Sequence, residues 1–169
     1  MGIPLFTAQR QFILDPKTFR LRLQHPVLLW SGAPAGEDDD QYMPTQAGLT
    51  TGRPGTGDAL LITIEKQVAK ANAFAMGITV GRVPTNDVVI DDASLSRFHG
   101  YFQFDARKNL WTLTDAESQN GTSVGGAKIT ARHPIKDGDE ITFGAVTTRF
   151  LTPDKLCAWL GAGADPSFF

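Results

Sequence analysis

Cysteine is nearly absent: Cys157 stands alone in 169 residues, so no disulfide can form within the chain. Histidine is scarce as well. His25, His99 and His133 lie far apart and, with Cys157, make no cluster at metal-ligand spacing, which argues against a zinc site or a bound cofactor. Long apolar runs are missing. The longest, over 26–30, has the length of a strand and falls far short of the ~20 residues of a membrane span. The opening MGIPLFTAQRQFILDP lacks the long apolar core of a secretory signal, and Phe6 stands where myristoylation wants Ser or Thr. Nor is there an excess of positive charge. Lys and Arg total 16 against 18 Asp and Glu, for a net charge of −2, which excludes bulk attraction to nucleic acid. The expectation is a cytoplasmic protein that binds neither nucleic acid nor membrane and holds any anion through a few local donors.

What is present divides into three parts. Residues 1–58 form an N-terminal extension. In it FRLRLQ (19–24) alternates apolar and basic residues, the period of a half-buried strand, and PVLLWS (26–31) reads as a second. Its later part, 34–58, is rich in Pro, Gly, Thr and Asp and reads as a long flexible segment. Residues 59–152 then run strand after strand with Gly, Asp and Asn turns between them: LLITIEK, FAMGITVGR, DVVI, FHGYFQFD, NLWTLTD, TSV, AKIT and a hairpin DEITFGAVTTRFL bent at Gly144. That pattern predicts an all-β fold, an antiparallel β-sandwich. Residues 153–169 supply a short C-terminal helix and tail, the one stretch that reads as helical. Pro153 suits a first turn, and Leu156, Trp159 and Leu160 share a face.

Three loops of the β-rich part carry groups suited to phosphate or to peptide backbone. Gly81-Arg82 closes a strand, and a guanidinium fork matches phosphate oxygens. Ser96-Arg97-Phe98-His99 brings a hydroxyl, a second cation and a ring able to tie loops together. Gln119-Asn120-Gly121 is a tight-turn signal whose Asn amide can both donate and accept. Blander readings stand beside these. His99 alone reads as a buried loop anchor, and Phe98, Tyr101, Phe102, Phe104 and Trp111 as core or strand-face packing. Asp87, Asp91 and Asp92 read as a solvated turn. Ser96 and His99 are the one nucleophile-and-base pair close in sequence, but no nucleophile elbow, P-loop or metal motif surrounds them, so an enzyme is not expected.

Order and spacing add a resemblance. ITVGRVPTNDVVIDDASLSRFHGYFQFD, DAESQNGTSVGG and IKDGDEITFG resemble the signature of forkhead-associated (FHA) domains, over 74–151. The resemblance implies the FHA/SMAD-like sandwich and phosphothreonine-dependent binding of a Ser/Thr kinase or its substrate, in signalling or assembly. Carried onto this sequence, it implies that Arg82 and Ser96 contact the phosphate and that Arg97 lines the same pocket. Asn120 would bond the backbone of the bound segment, and Gln119 would take a position where relatives use Ser or Thr. Gly81, His99 and Gly121 would hold loop geometry. A phosphate-independent scaffold on the same fold is the alternative. Thr45, Thr50, Thr51 and Thr56 lie just before the domain and, if phosphorylated, could occupy its pocket in cis or between two chains.

Overall fold

Strand β2 (Val27–Trp30) is apolar at all four positions, and its place in the fold explains why. Successive side chains on a strand point to opposite faces. Leu28 and Trp30 enter the core between two sheets, whereas Val27 and Leu29 are buried on the other side under helices. The computed structural model describes residues 2–31, 59–68 and 74–164. Before β2 come β1 (Gly2–Pro4), α1 (Leu5–Leu14) and α2 (Pro16–Arg22). After it follow β3 (Leu60–Thr63), β4 (Ile78–Gly81), β5 (Val88–Val89), β6 (Gly100–Asp105) and β7 (Leu110–Asp115). Then come β8 (Thr122–Val124), β9 (Ala127–Lys128), β10 (His133–Ile135), β11 (Glu140–Phe143), β12 (Val146–Leu151) and α3 (Pro153–Gly161).

The strands form a sandwich. One sheet has seven strands in the order β1-β3-β2-β12-β11-β8-β9, the other five in the order β10-β7-β6-β4-β5. The pairing is antiparallel except between β4 and β5, which run parallel. The inner faces meet over Leu28, Ile62, Val80, Phe102, Ile141 and Phe143. A second apolar cluster lies on the outer face of the larger sheet, where Val27, Leu29, Leu61 and Leu151 pack against Ala8 of α1 and Leu156, Trp159 and Leu160 of α3. The all-β sandwich with a C-terminal helix is thus observed. The segment 1–58, set apart in the sequence, contributes β1 and β2 to the sheet, and β2 pairs with both β3 and β12. Residues 34–58, including the four threonines, lie outside the described residues.

Two expectations fail in this region, the strand over 19–24 and the C-terminal stretch as the one helical part. FRLRLQ is not a strand: its first four residues close α2, and the chain before it forms α1. The period-two pattern was a coincidence of Phe19, Leu21 and Leu23. Only Phe19 and Leu23, four apart, pack on the apolar cluster, while Leu21 is 76% exposed. The helix signal was present one step earlier. Asp15 caps α2 by accepting from the Thr18 N–H at 3.0 Å, and Pro16 occupies the first turn. C-terminal helix α3 uses the same device: Thr152 accepts from the Lys155 N–H at 3.3 Å, ahead of Pro153.

Strand directions place the candidate loops together. Because β4 and β7 both run antiparallel to β6, the ends of β4 and β7 and the start of β6 lie at one end of the sandwich. The β11–β12 turn at Gly144 joins them there, since Phe143 pairs with Thr122 at the start of β8. Gly144 has a φ of 60°, and a Cβ on it would sit 2.5 Å from the Ser94 carbonyl oxygen, so this bend accepts only glycine.

Candidate functional site

The floor of the site is a backbone crossing so close that it excludes a side chain. A Cβ at Gly81 would lie 2.3 Å from the Arg97 carbonyl oxygen and 2.8 Å from the Asn86 amide nitrogen. With glycine there, the Gly81 carbonyl accepts from the Ile90 N–H at 3.1 Å, and the next residue, Arg82, donates its N–H to the Ser96 carbonyl at 3.1 Å. The loop after β4 is thereby tied to the loop before β6. Asn86, buried, strengthens the tie by donating its side-chain amide to Val83 O at 3.0 Å and Arg97 O at 2.6 Å.

His99 joins the third loop. It is fully buried, its Nδ1 accepts from the Ser96 N–H at 3.1 Å, and its Nε2 lies 3.1 Å from the Gly121 carbonyl. Because Nδ1 is an acceptor, the ring proton sits on Nε2, which donates to Gly121. Burial pushes the His99 pKa below its ordinary 6.5, partly opposed by the Gly121 bond and by Asp115 nearby. Gly121 has a φ of 80°, and its carbonyl also accepts from the Gly144 N–H at 3.0 Å. Under the turn, Asp115 accepts from Ser118 N–H at 2.9 Å, Ser118 hydroxyl at 2.7 Å and Thr122 hydroxyl at 2.6 Å. Burial raises its pKa, but these bonds outweigh burial and hold it below the ordinary carboxylate value.

On this support stand the groups singled out in the sequence. Ser96 Oγ accepts from the Gln119 N–H at 3.0 Å, which leaves its own proton available to donate. The Asn120 amide donates to Ser94 O at 2.7 Å and retains an acceptor oxygen. Arg82 and Arg97 are exposed, and neither guanidinium has a hydrogen bond or ion pair among the described residues. The three loops therefore converge: backbone and side-chain bonds tie Ser96, Gln119 and Asn120 together, Ser96 is half-buried, and Arg82, Arg97, Gln119 and Asn120 are exposed on the same loops. Gln119 contributes a backbone N–H to the network, and its side chain makes no bond among the described residues. Ser94 was not singled out, yet it receives Asn120 at its carbonyl and the Ala145 N–H at its hydroxyl, 2.9 Å away. The Ser-Arg-x-His spacing drew attention to Ser96 and away from a serine two residues earlier.

The chemistry this arrangement permits is narrow. Both ring nitrogens of His99 are engaged by backbone groups, and Ser96 Oγ bonds Gln119 instead of the imidazole, so no serine–histidine nucleophile pair is formed. The described residues contain no group of three or more His, Cys, Asp or Glu able to hold a metal. Clefts of about 450, 600 and 320 Å³ occur elsewhere, and none is lined by the five side chains. On the loops themselves Arg82, Arg97, Gln119 and Asn120 are exposed, and Ser96 is half-buried.

Asp87 corrects one sequence expectation. It is not part of a solvated turn: it is 1% exposed and accepts from Lys66 Nζ at 2.9 Å, Gln67 N–H at 2.9 Å, Thr79 N–H at 2.8 Å and the Thr79 hydroxyl at 3.0 Å. Burial alone would raise its pKa, but these donors hold it below the ordinary value. Asp92 caps the next turn through Ser94, whose hydroxyl donates to it at 2.7 Å, and Asp91 is exposed. No helix among the described residues is long and apolar enough to cross a membrane.

Comparison with known proteins matches the part of the chain that carries these loops. The family model of the FHA domain matches residues 78–144. The glycogen accumulation regulator GarA of Mycobacterium tuberculosis is 29% identical over 120 residues, covering 66% of this chain and 72% of that protein. GarA of Mycolicibacterium smegmatis is 28% identical over 113 residues, covering 64% of this chain and 69% of its own length. Among solved structures, Mycobacterium tuberculosis EmbR in complex with a low affinity phosphopeptide aligns at 28% identity with a TM-score of 0.41. That alignment covers 45% of this chain and 20% of EmbR, so the likeness spans about a fifth of that protein.

Proposed function

From the premise that residues 78–144 are an FHA domain, we propose that this chain binds a phosphothreonine-containing segment of a protein through Arg82, Ser96, Arg97 and Asn120. The observation that carries the reading is that the exposed guanidinium groups of Arg82 and Arg97, on the two loops tied together at Ser96, have no hydrogen bond or ion pair among the described residues. Among the described residues no buried side-chain nitrogen or oxygen lacks a hydrogen-bond partner. The donors left over are those at the surface.

Phosphothreonine carries a charge of about −1.5 to −2 at neutral pH and three acceptor oxygens. Arg82 supplies a fork to two of them and Ser96 Oγ a third donor, while Arg97 adds a positive field. Each charge-assisted bond contributes about 1.5–3 kcal/mol. Preorganisation supports the reading, since the crossing at Gly81 and the His99 bridge fix the loops before ligand arrives. Asn120 then fixes the direction of the bound segment through its backbone. The ligand is a Ser/Thr kinase or one of its substrates, met in the cytoplasm, and the chain acts as a binding module in signalling or assembly, without a cofactor.

The test is a titration with a phosphothreonine peptide library and its phosphoserine and unphosphorylated counterparts, repeated with Arg82→Ala. Binding that requires the phosphate is expected, weakened at least tenfold by Arg82→Ala with unchanged thermal stability. Binding indifferent to phosphate would replace this reading with the scaffold alternative.

A further inference from the structure

Helices α1 and α2 lie outside the residues that match the FHA model, and the loop end of the sandwich leaves them unexplained. Residues 1–24 hold four cations, Arg10, Lys17, Arg20 and Arg22, against the single acid Asp15. The rest of the chain holds 12 Lys and Arg against 17 Asp and Glu. The helical layer is thus a basic cap on an acidic protein. Some of its charge is committed: Arg20 pairs with Asp154 at 2.6 Å, and Asp15 accepts from the Thr18 N–H with Arg22 nearby. Arg10 and Lys17 are exposed, and their side chains make no hydrogen bond or ion pair among the described residues.

Helix α1 is apolar on both faces. Leu5, Ala8 and Phe12 pack toward the sheet. At about 100° per residue, Phe6 and Ile13 stand about a quarter-turn past Leu5 and Phe12, and Arg10 and Leu14 about half a turn past Ala8 and Phe12. In α2, Lys17 and Leu21 lie two residues either side of Phe19 and so point away from the cluster that Phe19 joins. Phe6, Ile13, Leu14 and Leu21 are accordingly 72–77% exposed. One exposed leucine is ordinary, but four large apolar side chains facing away from the sheet on one short layer mark a surface that meets something. Leu14 and Arg22 also line a cleft of about 450 Å³ with Phe19, Leu23, Leu61 and Leu156, so apolar space continues inward from that surface.

We propose that this layer docks on the surface of an anionic bilayer, with Phe6, Ile13, Leu14 and Leu21 entering the boundary between headgroups and acyl chains and Arg10 and Lys17 meeting lipid phosphates. Charge complementarity selects this occupant. A second copy related by a two-fold axis would set Arg10 and Lys17 against the same cations. A protein surface must also match the layer in shape, whereas a lipid interface takes up protruding apolar side chains and lets the cations reach headgroups. The expectation that the chain binds no membrane rests on the lack of a spanning segment. None of the described helices spans a bilayer, but a helix lying in the interface needs no such length. The layer covers the outer face of the larger sheet while the candidate loops lie at the end of the sandwich, so docking leaves Arg82 and Ser96 open. The inference is therefore independent of the phosphothreonine reading.

The experiment is co-sedimentation of the full chain with vesicles of phosphatidylcholine alone and of phosphatidylcholine mixed with phosphatidylserine. Partition into the anionic vesicles is expected to exceed that into neutral ones about tenfold and to fall as salt is added. Arg10→Ala combined with Lys17→Ala should erase most of that preference. Phe6→Ser combined with Ile13→Ser keeps every charge and should still weaken binding about tenfold. All four positions are exposed, so unchanged melting of both variants separates lost docking from misfolding. Phe6→Trp gives a direct reading: lipids brominated on the acyl chain should quench its emission beyond the background that Trp30, Trp111 and Trp159 give in wild type. No partition into anionic vesicles, or equal partition of wild type and the Phe6→Ser, Ile13→Ser protein, overturns the proposal. A dimer that those two serines dissociate, in place of vesicle binding, overturns it in favour of a second copy.

Discussion

The loop end of the sandwich and its helix-covered face are held by different forces. Around the candidate site the contacts are polar, short and directional: Gly81 against Arg97, Asn86 to Arg97 O, His99 between Ser96 and Gly121, Asp115 under the turn. On the outer face of the larger sheet, α1 and α3 are held by burial of Ala8, Leu156, Trp159 and Leu160 against Val27, Leu29, Leu61 and Leu151. Hydrogen bonds fix positions to tenths of an ångström, and apolar burial supplies free energy with little directional demand. The loop end is thus fixed by directional polar contacts, and the helix-covered face by apolar burial.

The strongest challenge to that division is Trp159→Ala. It empties a large buried side chain from the helical face and should cost about 3–5 kcal/mol, read by urea denaturation. Phosphopeptide affinity measured well below the melting temperature should stay within about twofold. Gly81→Ala sharpens the contrast from the other side. Its Cβ has no room beside Arg97 O, so the loops must move, at a cost of about 1–3 kcal/mol. Unlike Trp159→Ala, it should also weaken phosphopeptide binding at least tenfold.

Acidity separates the two regions by a gentler effect. The folded-state pKa of His99 is depressed below its ordinary 6.5, so the unfolded chain takes up the proton first as pH falls. The stability tied to this group is complete above about pH 6.5 and declines as pH drops through the window below it. Asp87 and Asp115, also depressed, add their loss only below their ordinary 3.8. The urea midpoint should therefore be lower at pH 5.5 than at pH 7.5, and His99→Gln should flatten that dependence. Smallest of all is Arg20→Ala. The Arg20–Asp154 pair joins α2 to α3 at 2.6 Å, but both partners are exposed, so its loss should cost less than about 1 kcal/mol.

How much of this could be read from the sequence also divides along the same line. The β-sandwich and the three loops were legible because strand alternation and turn chemistry are local, as in the Asn120-Gly121 turn and the hairpin at Gly144. The first twenty-four residues were not, whereas PVLLWS (26–31) was rightly read as a strand, β2. Helix α1 reaches the apolar cluster through Leu5, Ala8 and Phe12, α2 through Phe19 with Leu23 just beyond it, and Leu21, exposed yet apolar, completed a false strand period. What places these helices is a hydrophobic sheet face formed by β2, β3 and β12, from distant parts of the chain. Asp87 was misread for the same reason. Its burial depends on Lys66 and Thr79, residues 21 and 8 positions away, which no local composition reveals.

The most direct measurement is a map of backbone amide shifts in the isotopically labelled full chain on titration with a phosphothreonine peptide. The account predicts perturbations concentrated at 81–82, 96–99 and 119–121, with α1 and α3 silent and the whole response gone in Arg82→Ala. Shifts centred on the helical face, or a response that survives Arg82→Ala, would contradict it.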